Sequence, residues 1–404
     1  MNAITVACIV GQWLQVYNVR ATQFTATLLR LTANRSQECR RSITLCAPCG
    51  AILRTVPITP TTKVADICLY AEQLFFEGTY ETPLESTSLV WNHIPNGGQL
   101  TVTKSKFEGV VDRMLKGHIR GVRSVSWHPD GTKLASGSCD YTVRIWEMTS
   151  NSFKCIATCQ GHTCAVRTIQ WNPSGTRLAS ASNDRTIRIW DTTSWKCLHI
   201  LRGHDSFVLS VAWHPSRNWI ASGSYDSTIR MWELTSTGTK CLHVLKGHTD
   251  SIWAMHWNPS GTQLASGSED TTIRIWNIDS LAEKCVHVRK GHTSSVLDVQ
   301  WIPLGTLLAS GSMDKTIRIW DTTTWNCTTI LKGHTYSVYS IRWNPSGTRL
   351  ASGSGKTIHV YNTDSWKCVH VLKGYEGWIC SVEWHPHGMY LASGSNDGDI
   401  QIWK

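Results

Sequence analysis

The sequence predicts an all-β protein in which one four-stranded unit is repeated seven times, preceded by a smaller α+β region. Three observations carry this reading. The stretch SGSMDKTIRIWD at residues 310–321 recurs at 136–147, 180–191, 222–233 and 266–277, with looser copies at 352–362 and 393–404. Gly-His pairs begin at 117, 161, 203, 247, 291 and 333, with Gly374-Tyr375 as the seventh, at intervals of 44, 42, 44, 44, 42 and 41 residues. A self-similar period of this size marks a repeat architecture. In TIRIW, finally, the two Ile fall on one face and Thr and Arg on the other, the period-two pattern of a strand.

Each unit is read in the same order. Gly-His is followed by a strand ending in Trp (VLDVQW, Val296–Trp301) and a Pro/Gly turn (NPSGT). The strand LASGS comes next, then a turn built on Asp, then TIRIW. Asp suits that turn because its carboxylate accepts from nearby backbone N–H groups. A fourth strand such as CLHVL at 241–245 leads to the next Gly-His. The seventh TIRIW-like strand has no fourth strand after it, because the sequence stops at Lys404. Residues 110–115, in GVVDRMLKGH, align with CVHVLKG at 368–374. That early strand is therefore expected to complete the last unit, which removes an open sheet edge, and trimming through Leu115 is expected to destabilise the whole array.

Four strands per unit with Gly-His and Trp-Asp signatures, seven times in phase over about 117–404, resemble the WD-repeat β-propeller family. The resemblance implies seven four-stranded antiparallel blades around a channel, the last closed by the N-terminal strand. It also implies a hydrogen-bonded tetrad in each intact blade. These are His118, Ser136, Asp140 and Trp146; His162, Ser180, Asp184 and Trp190; His204, Ser222, Asp226 and Trp232; His248, Ser266, Asp270 and Trp276; and His292, Ser310, Asp314 and Trp320. Trp donates one N–H, Ser and His donate and accept, and Asp accepts, so the network satisfies itself. His, Ser and Asp also compose a hydrolase triad, but five intact copies favour a structural role. Two blades depart from the pattern: Gly355 leaves blade six without its Asp and Tyr361 replaces Trp, while Tyr375 replaces His in blade seven. These mark the expected weakest sector.

The same resemblance makes the segment after each Gly-His open onto one rim, the usual partner-binding face. The variable positions there give Arg123, Arg167, Phe207, Leu209, Trp253, Leu297, Tyr339 and Trp378, and the residues before the turn Asp add Tyr225, Glu269 and Met313. Aromatics beside Arg have the composition of an interface hot spot. The alternative is that some of these side chains only fill the channel mouth. Of 21 Trp, 13 belong to the repeats; those ending the first strand, such as Trp301, are expected to pack between blades. His128-Pro129, His214-Pro215 and His385-Pro386 are read as surface turn residues.

The chain divides into 1–41, a leader with five Arg and one acid; 42–104, a small α+β region; a linker at 105–109; and the propeller at 110–404. The leader is read as flexible or as a strand pair, with an organelle transit peptide as the alternative. In 42–104, strand-like 42–45 and 51–57, helix-patterned 61–76, and strands 89–91 and 99–103 follow one another. That order, with the closing pattern IPNGGQLTVTK, resembles the ubiquitin-like β-grasp fold, and Gly97-Gly98 would then lie in an internal turn of a docking module for a second partner.

Bulk properties narrow the function. Net charge is +10, with 11 basic and 8 acidic groups in 1–116, leaving 28 and 21 in 117–404, so the excess is diffuse and argues against specific nucleic-acid binding. Six of the 15 cysteines stand once per repeat, at 155, 197, 241, 285, 327 and 368; equivalent blade positions lie beyond disulfide reach, which favours reduced thiols and a cytoplasmic or nuclear site. No apolar run has the length of a membrane span. No metal and no cofactor is expected. A thiol redox enzyme working through Cys46 and Cys49 is the alternative of another class, although Cys-x-x-Cys here joins two strands and does not open a helix. The favoured function is a non-enzymatic interaction scaffold within a multiprotein complex. Resemblance offers two finer versions: ribosome-assembly factors with a ubiquitin-like domain ahead of a propeller, and peptide-reading subunits of chromatin-modifying complexes. Cullin-ligase adaptors carry Trp-Asp-x-Arg, and Thr193 and Thr323 occupy that last position here.

Overall fold

The structure, a computed structural model, describes residues 107–149, 152–235, 238–278 and 284–404, together with the strand backbones 2–10, 13–21, 41–46, 52–58, 88–91 and 100–103. It divides into two compact units, Met1–Phe107 and Glu108–Lys404.

In the first unit, Asn2–Val10 pairs antiparallel with Trp13–Ala21, Arg41–Cys46 with Ile52–Ile58, and Ser88–Trp91 with Leu100–Thr103. The helix expected at 61–76, on which the β-grasp resemblance depends, lies outside the described residues, as does Cys49.

The second unit is a seven-bladed propeller of four-stranded antiparallel blades. Blade 1 runs outward from Val122–Trp127 through Lys133–Ser138 and Val143–Met148 to Phe153–Cys159. Blades 2 to 6 repeat this order. Blade 7 takes Ile379–Trp384, Leu391–Ser395 and Ile400–Trp403 from the C-terminus and Val111–Leu115 from ahead of blade 1. Leu115 pairs with Ile400, and the Lys404 carbonyl accepts from the N–H groups of Glu108, Gly109 and Val110 at 3.0, 2.7 and 3.3 Å. The expected closure is therefore in place. Part of the segment expected to be a linker, 108–109, is tied into that edge.

The core lies between blades, as the sandwiching of sheet against sheet requires. At the seam, Leu115, Ala392, Ile400 and Ile402 of blade 7 pack against Val122, Val125, Trp127, Leu134 and Trp146 of blade 1. The small residue in LASGS follows from this layering: a Cβ on Gly311 would sit 2.8 Å from Cγ1 of Val338 in the next blade. In five blades the Trp ending the first strand also bonds to the preceding blade, as Trp171 Nε1 donates to Ser126 O at 3.0 Å and Trp343 Nε1 to Gln300 O at 3.1 Å; Trp127 and Trp301 make no such bond.

The five expected tetrads are formed. In blade 5, Trp320 Nε1 donates to Ser310 Oγ at 2.9 Å, His292 Nε2 lies 2.7 Å from the same oxygen, and His292 Nδ1 is 2.7 Å from Asp314 Oδ2. Asp314 Oδ1 also accepts from Thr316 N and Oγ1, which fixes the turn around Lys315, whose φ is 70°. Burial alone would raise this carboxyl, but the bonds from His292 and Thr316 outweigh it and hold it well below the usual carboxylate range. An ionised Asp accepts only, so His292 Nδ1 is the donor of that pair. Blade 6 departs as the sequence indicated: His334 Nε2 keeps its 2.7 Å contact to Ser352 Oγ but has no Asp and stacks on His359 at 3.9 Å. In blade 7, Tyr375 OH takes the His position, 2.8 Å from Ser393 Oγ, and Trp403 Nε1 completes the contact at 2.7 Å.

His214 and His385 are not surface turn residues; they are 2% and 1% exposed. Nε2 of His128, His214 and His385 reaches the carbonyls of Gly175, Gly261 and Gly131 in the following blade at 3.0, 3.0 and 3.1 Å. Each ring also meets the next blade's Trp edge-to-face at 4.7 Å. The His-Pro turns are ties between blades, and His385 ties blade 7 to blade 1.

Candidate interaction face at the channel mouth

Every first strand carries the same irregularity at its start. In blade 1, Val122 pairs with Ser138 and Ser124 with Gly137, leaving Arg123 unpaired as a β-bulge; the other six inner strands skip one residue at the equivalent place. A bulge re-aims a side chain. It turns Arg123, Arg167, Leu209, Trp253, Leu297, Tyr339 and Cys380 toward the mouth of a central bore of about 420 Å³.

The sequence-selected residues separate into three groups. Phe207, Tyr225 and Trp378 stand out from the face, 40%, 50% and 46% exposed. Phe207 and Tyr225 touch at a ring separation of 6.0 Å. Arg123, Arg167, Trp253, Glu269, Met313 and Tyr339 are half-buried around the mouth. Leu209 and Leu297, expected on the exposed rim, are buried instead and form the wall of the bore; an aliphatic side chain at the bulge folds against its neighbours where an aromatic or Arg reaches outward. Tyr336 was missed. It lies two residues after His334, is 54% exposed, and packs 6.0 Å from Trp378, which in turn lies 6.4 Å from Tyr339. Its signal was available: an aromatic in the loop immediately after Gly-His.

Below the mouth, the residue after the bulge ties neighbouring blades everywhere except in blade 4, where it is Ala254. Ser124, Ser210, Ser340 and Ser381 Oγ accept the N–H groups of Ile169, Met255, Val382 and Val125 at 3.1–3.2 Å. In blade 5 this position is Asp298, which accepts from Ile341 N at 2.8 Å and receives Arg342 at 2.6 Å; Arg342 Nε also meets Glu383 at 2.7 Å. Burial alone would weaken the Arg342 charge, and the two carboxylates more than offset it. His256 Nδ1 accepts from Trp301 N at 3.2 Å, and burial, assisted by Arg342, pushes its pKa down to about 3, so the ring stays neutral as an acceptor must. Sequence reading missed this cluster, whose partners lie in different blades.

Among the described residues no group of His, Cys, Asp and Glu has metal-holding geometry, the cysteines are free, and no helix is long and apolar enough to cross a membrane.

The WD domain, G-beta repeat family matches the chain seven times, at residues 109–147, 153–191, 195–233, 239–277, 283–321, 325–362 and 366–404. Similar proteins include THO complex subunit 3 of Arabidopsis thaliana, 48% identical over 46 residues, 11% of this chain and 15% of that protein. The probable cytosolic iron-sulfur protein assembly protein Ciao1 of Culex quinquefasciatus is 52% identical over 42 residues, 10% of this chain and 12% of its own length. The WD40 repeat-containing protein HOS15 of Arabidopsis thaliana is 38% identical over 77 residues, 19% of this chain and 10% of its own. The chain therefore matches a small part of each curated relative, about one to two repeats. The seven family matches fall in phase with the seven blades, and the chain belongs to the WD-repeat β-propeller family.

Proposed function

We propose that the protein is a non-enzymatic scaffold that holds peptide or protein partners on the mouth face of its propeller, within a multiprotein complex. The observation that carries the reading is one continuous aromatic ledge, Tyr336, Trp378 and Tyr339, on the face where Arg123, Arg167 and Trp253 converge. Exposed aromatics beside Arg supply the packed anchors on which interface energy concentrates. A non-enzymatic role is supported by the Ser–His pairs: each Ser of the five tetrads is fully buried, so no substrate carbonyl reaches the oxygen. THO complex subunit 3, by its name, is a subunit of a complex, which agrees with this class of role. The cytoplasmic or nuclear assignment belongs to the same proposal, as does a second partner at residues 42–104.

The test is affinity capture of the intact chain beside the triple variant Phe207→Ala, Trp253→Ala, Tyr339→Ala, with folding checked by thermal melt. Partners lost with an unchanged melt support the reading. Partners retained in full contradict it and direct attention to residues 42–104.

A further inference from the structure

Two guanidinium groups at the mouth lack the counter-charge their position calls for. Arg123 and Arg167 sit on the bulges of blades 1 and 2 and line the same bore. Arg123 Nε donates to Cys139 Sγ at 3.1 Å and Nη1 to Cys380 Sγ at 3.5 Å, both weak acceptors. The charged and titratable groups facing Arg167 are Arg123 and the thiols of Cys139, Cys164 and Cys380; no carboxylate is among them. Burial and the neighbouring Arg123 charge both depress the Arg167 guanidinium below its usual value. Arg167 is oriented by the Trp253 indole, 5.7 Å from its centroid, and the mouth carboxylate Glu269 accepts from Trp253 Nε1 at 3.4 Å. Contrast Arg342 lower in the bore, which has both Asp298 and Glu383. Holding two like charges together and partly desolvated costs stability unless an anion joins them.

From this geometry we infer that the mouth is an oxyanion subsite, in which Arg123 and Arg167 together hold the phosphate or carboxylate of one side chain of a bound peptide. Paired guanidiniums suit such a group because each presents a planar fork of donors to its oxygens. Trp253 forms the floor beside the anion, and the ledge of Tyr339 and Trp378 takes the flanking residues of the peptide. The inference rests on the peptide-binding reading of this face and names the chemistry that face selects.

Four fluorescent peptide pools, randomised at every position except a central phosphoserine, glutamate, serine or lysine, would be titrated against the full chain by anisotropy. The phosphoserine or glutamate pool is expected to bind about tenfold or more tighter than the serine pool, and to weaken as salt rises. Which of the two is tighter distinguishes phosphate from carboxylate as the source. Arg123→Gln and Arg167→Gln should each remove most of that preference, and Arg→Lys at either position should retain part of it, with melts within a few degrees of the parent. Equal binding of anionic, serine and lysine pools overturns the inference, as does an anion preference that survives the double Gln variant. Failure of the peptide-binding reading looks different: partners are captured undiminished by the triple aromatic variant above, whatever the pools do.

Discussion

Replacing Leu115 with Ala tests whether the propeller is closed by a strand from the wrong end of the repeat region. Leu115 lies 285 residues from its strand partner Ile400 (400 − 115). It is 5% exposed, in a cluster with Ile402, Val122, Trp127 and Trp146. If the closure holds in solution, Leu115 is as much a core residue as Leu331, the outer-strand Leu of blade 5 at 6% exposed. Truncating a buried Leu costs about 2–5 kcal/mol from lost burial and the cavity left behind. The unit Glu108–Lys404 should gain about 0.6 kcal/mol per kelvin of unfolding entropy. A 3 kcal/mol loss thus lowers the melting midpoint by about 5 °C. Leu331→Ala should match it. Met114→Ala, on the same strand but 44% exposed, should shift the midpoint by under about 1 °C. Differential scanning fluorimetry on the three variants decides the matter. If Leu115→Ala melts like Met114→Ala while Leu331→Ala falls, the strand does not close the ring.

Acid should destabilise the protein before its carboxylates titrate: burial holds His256 and His334 at about 3 and His385 at about 4, against about 6.5 unfolded. The unfolded chain then binds more protons, so stability falls as pH drops from about 6.5 to 4, by up to about 1.4 kcal/mol per pH unit for each His, and His385→Gln should flatten the slope in urea titrations. Arg342→Ala leaves Asp298 and Glu383 uncompensated and should cost about 3–5 kcal/mol. Adding Asp298→Ser, which restores the residue type found at Ser124, Ser210, Ser340 and Ser381, should recover a measurable part of that loss in the same titration. Blade 6, without its turn Asp, should open most readily, so amides in Thr357–Asn362 should exchange with deuterium faster than those in Ile317–Asp321.

What the sequence disclosed and what it hid have a common physical explanation. Blade number, strand order, the five tetrads and the closing role of 110–115 were legible because each is a pattern within one repeat, or between copies of it. Tetrad partners lie 10 to 22 residues apart, as between Trp320 and Ser310 or His292 and Asp314, so one unit displays them. The ties between blades were not legible. His128 meets Gly175 and Arg342 meets Asp298 across 47 and 44 residues, and nothing in either repeat alone shows that the turns abut. The mouth was legible as a set of positions but not as a surface. Strict alternation would place Arg123 opposite Ser124 and Ser126, whereas the bulge brings all three to the bore. Leu209 and Leu297 fell on the right positions with the wrong exposure, because the bulge sets direction and side-chain chemistry then decides whether the group reaches water or folds inward.

The most direct test of the mouth as the working face is a deuterium-exchange footprint of the intact chain alone and with a partner captured by it. The account predicts protection in the loops after Gly-His, around Arg123, Phe207, Tyr336 and Trp378. Protection confined to the opposite turns, around His128, His214 and His385, or to the outer strands, would contradict it.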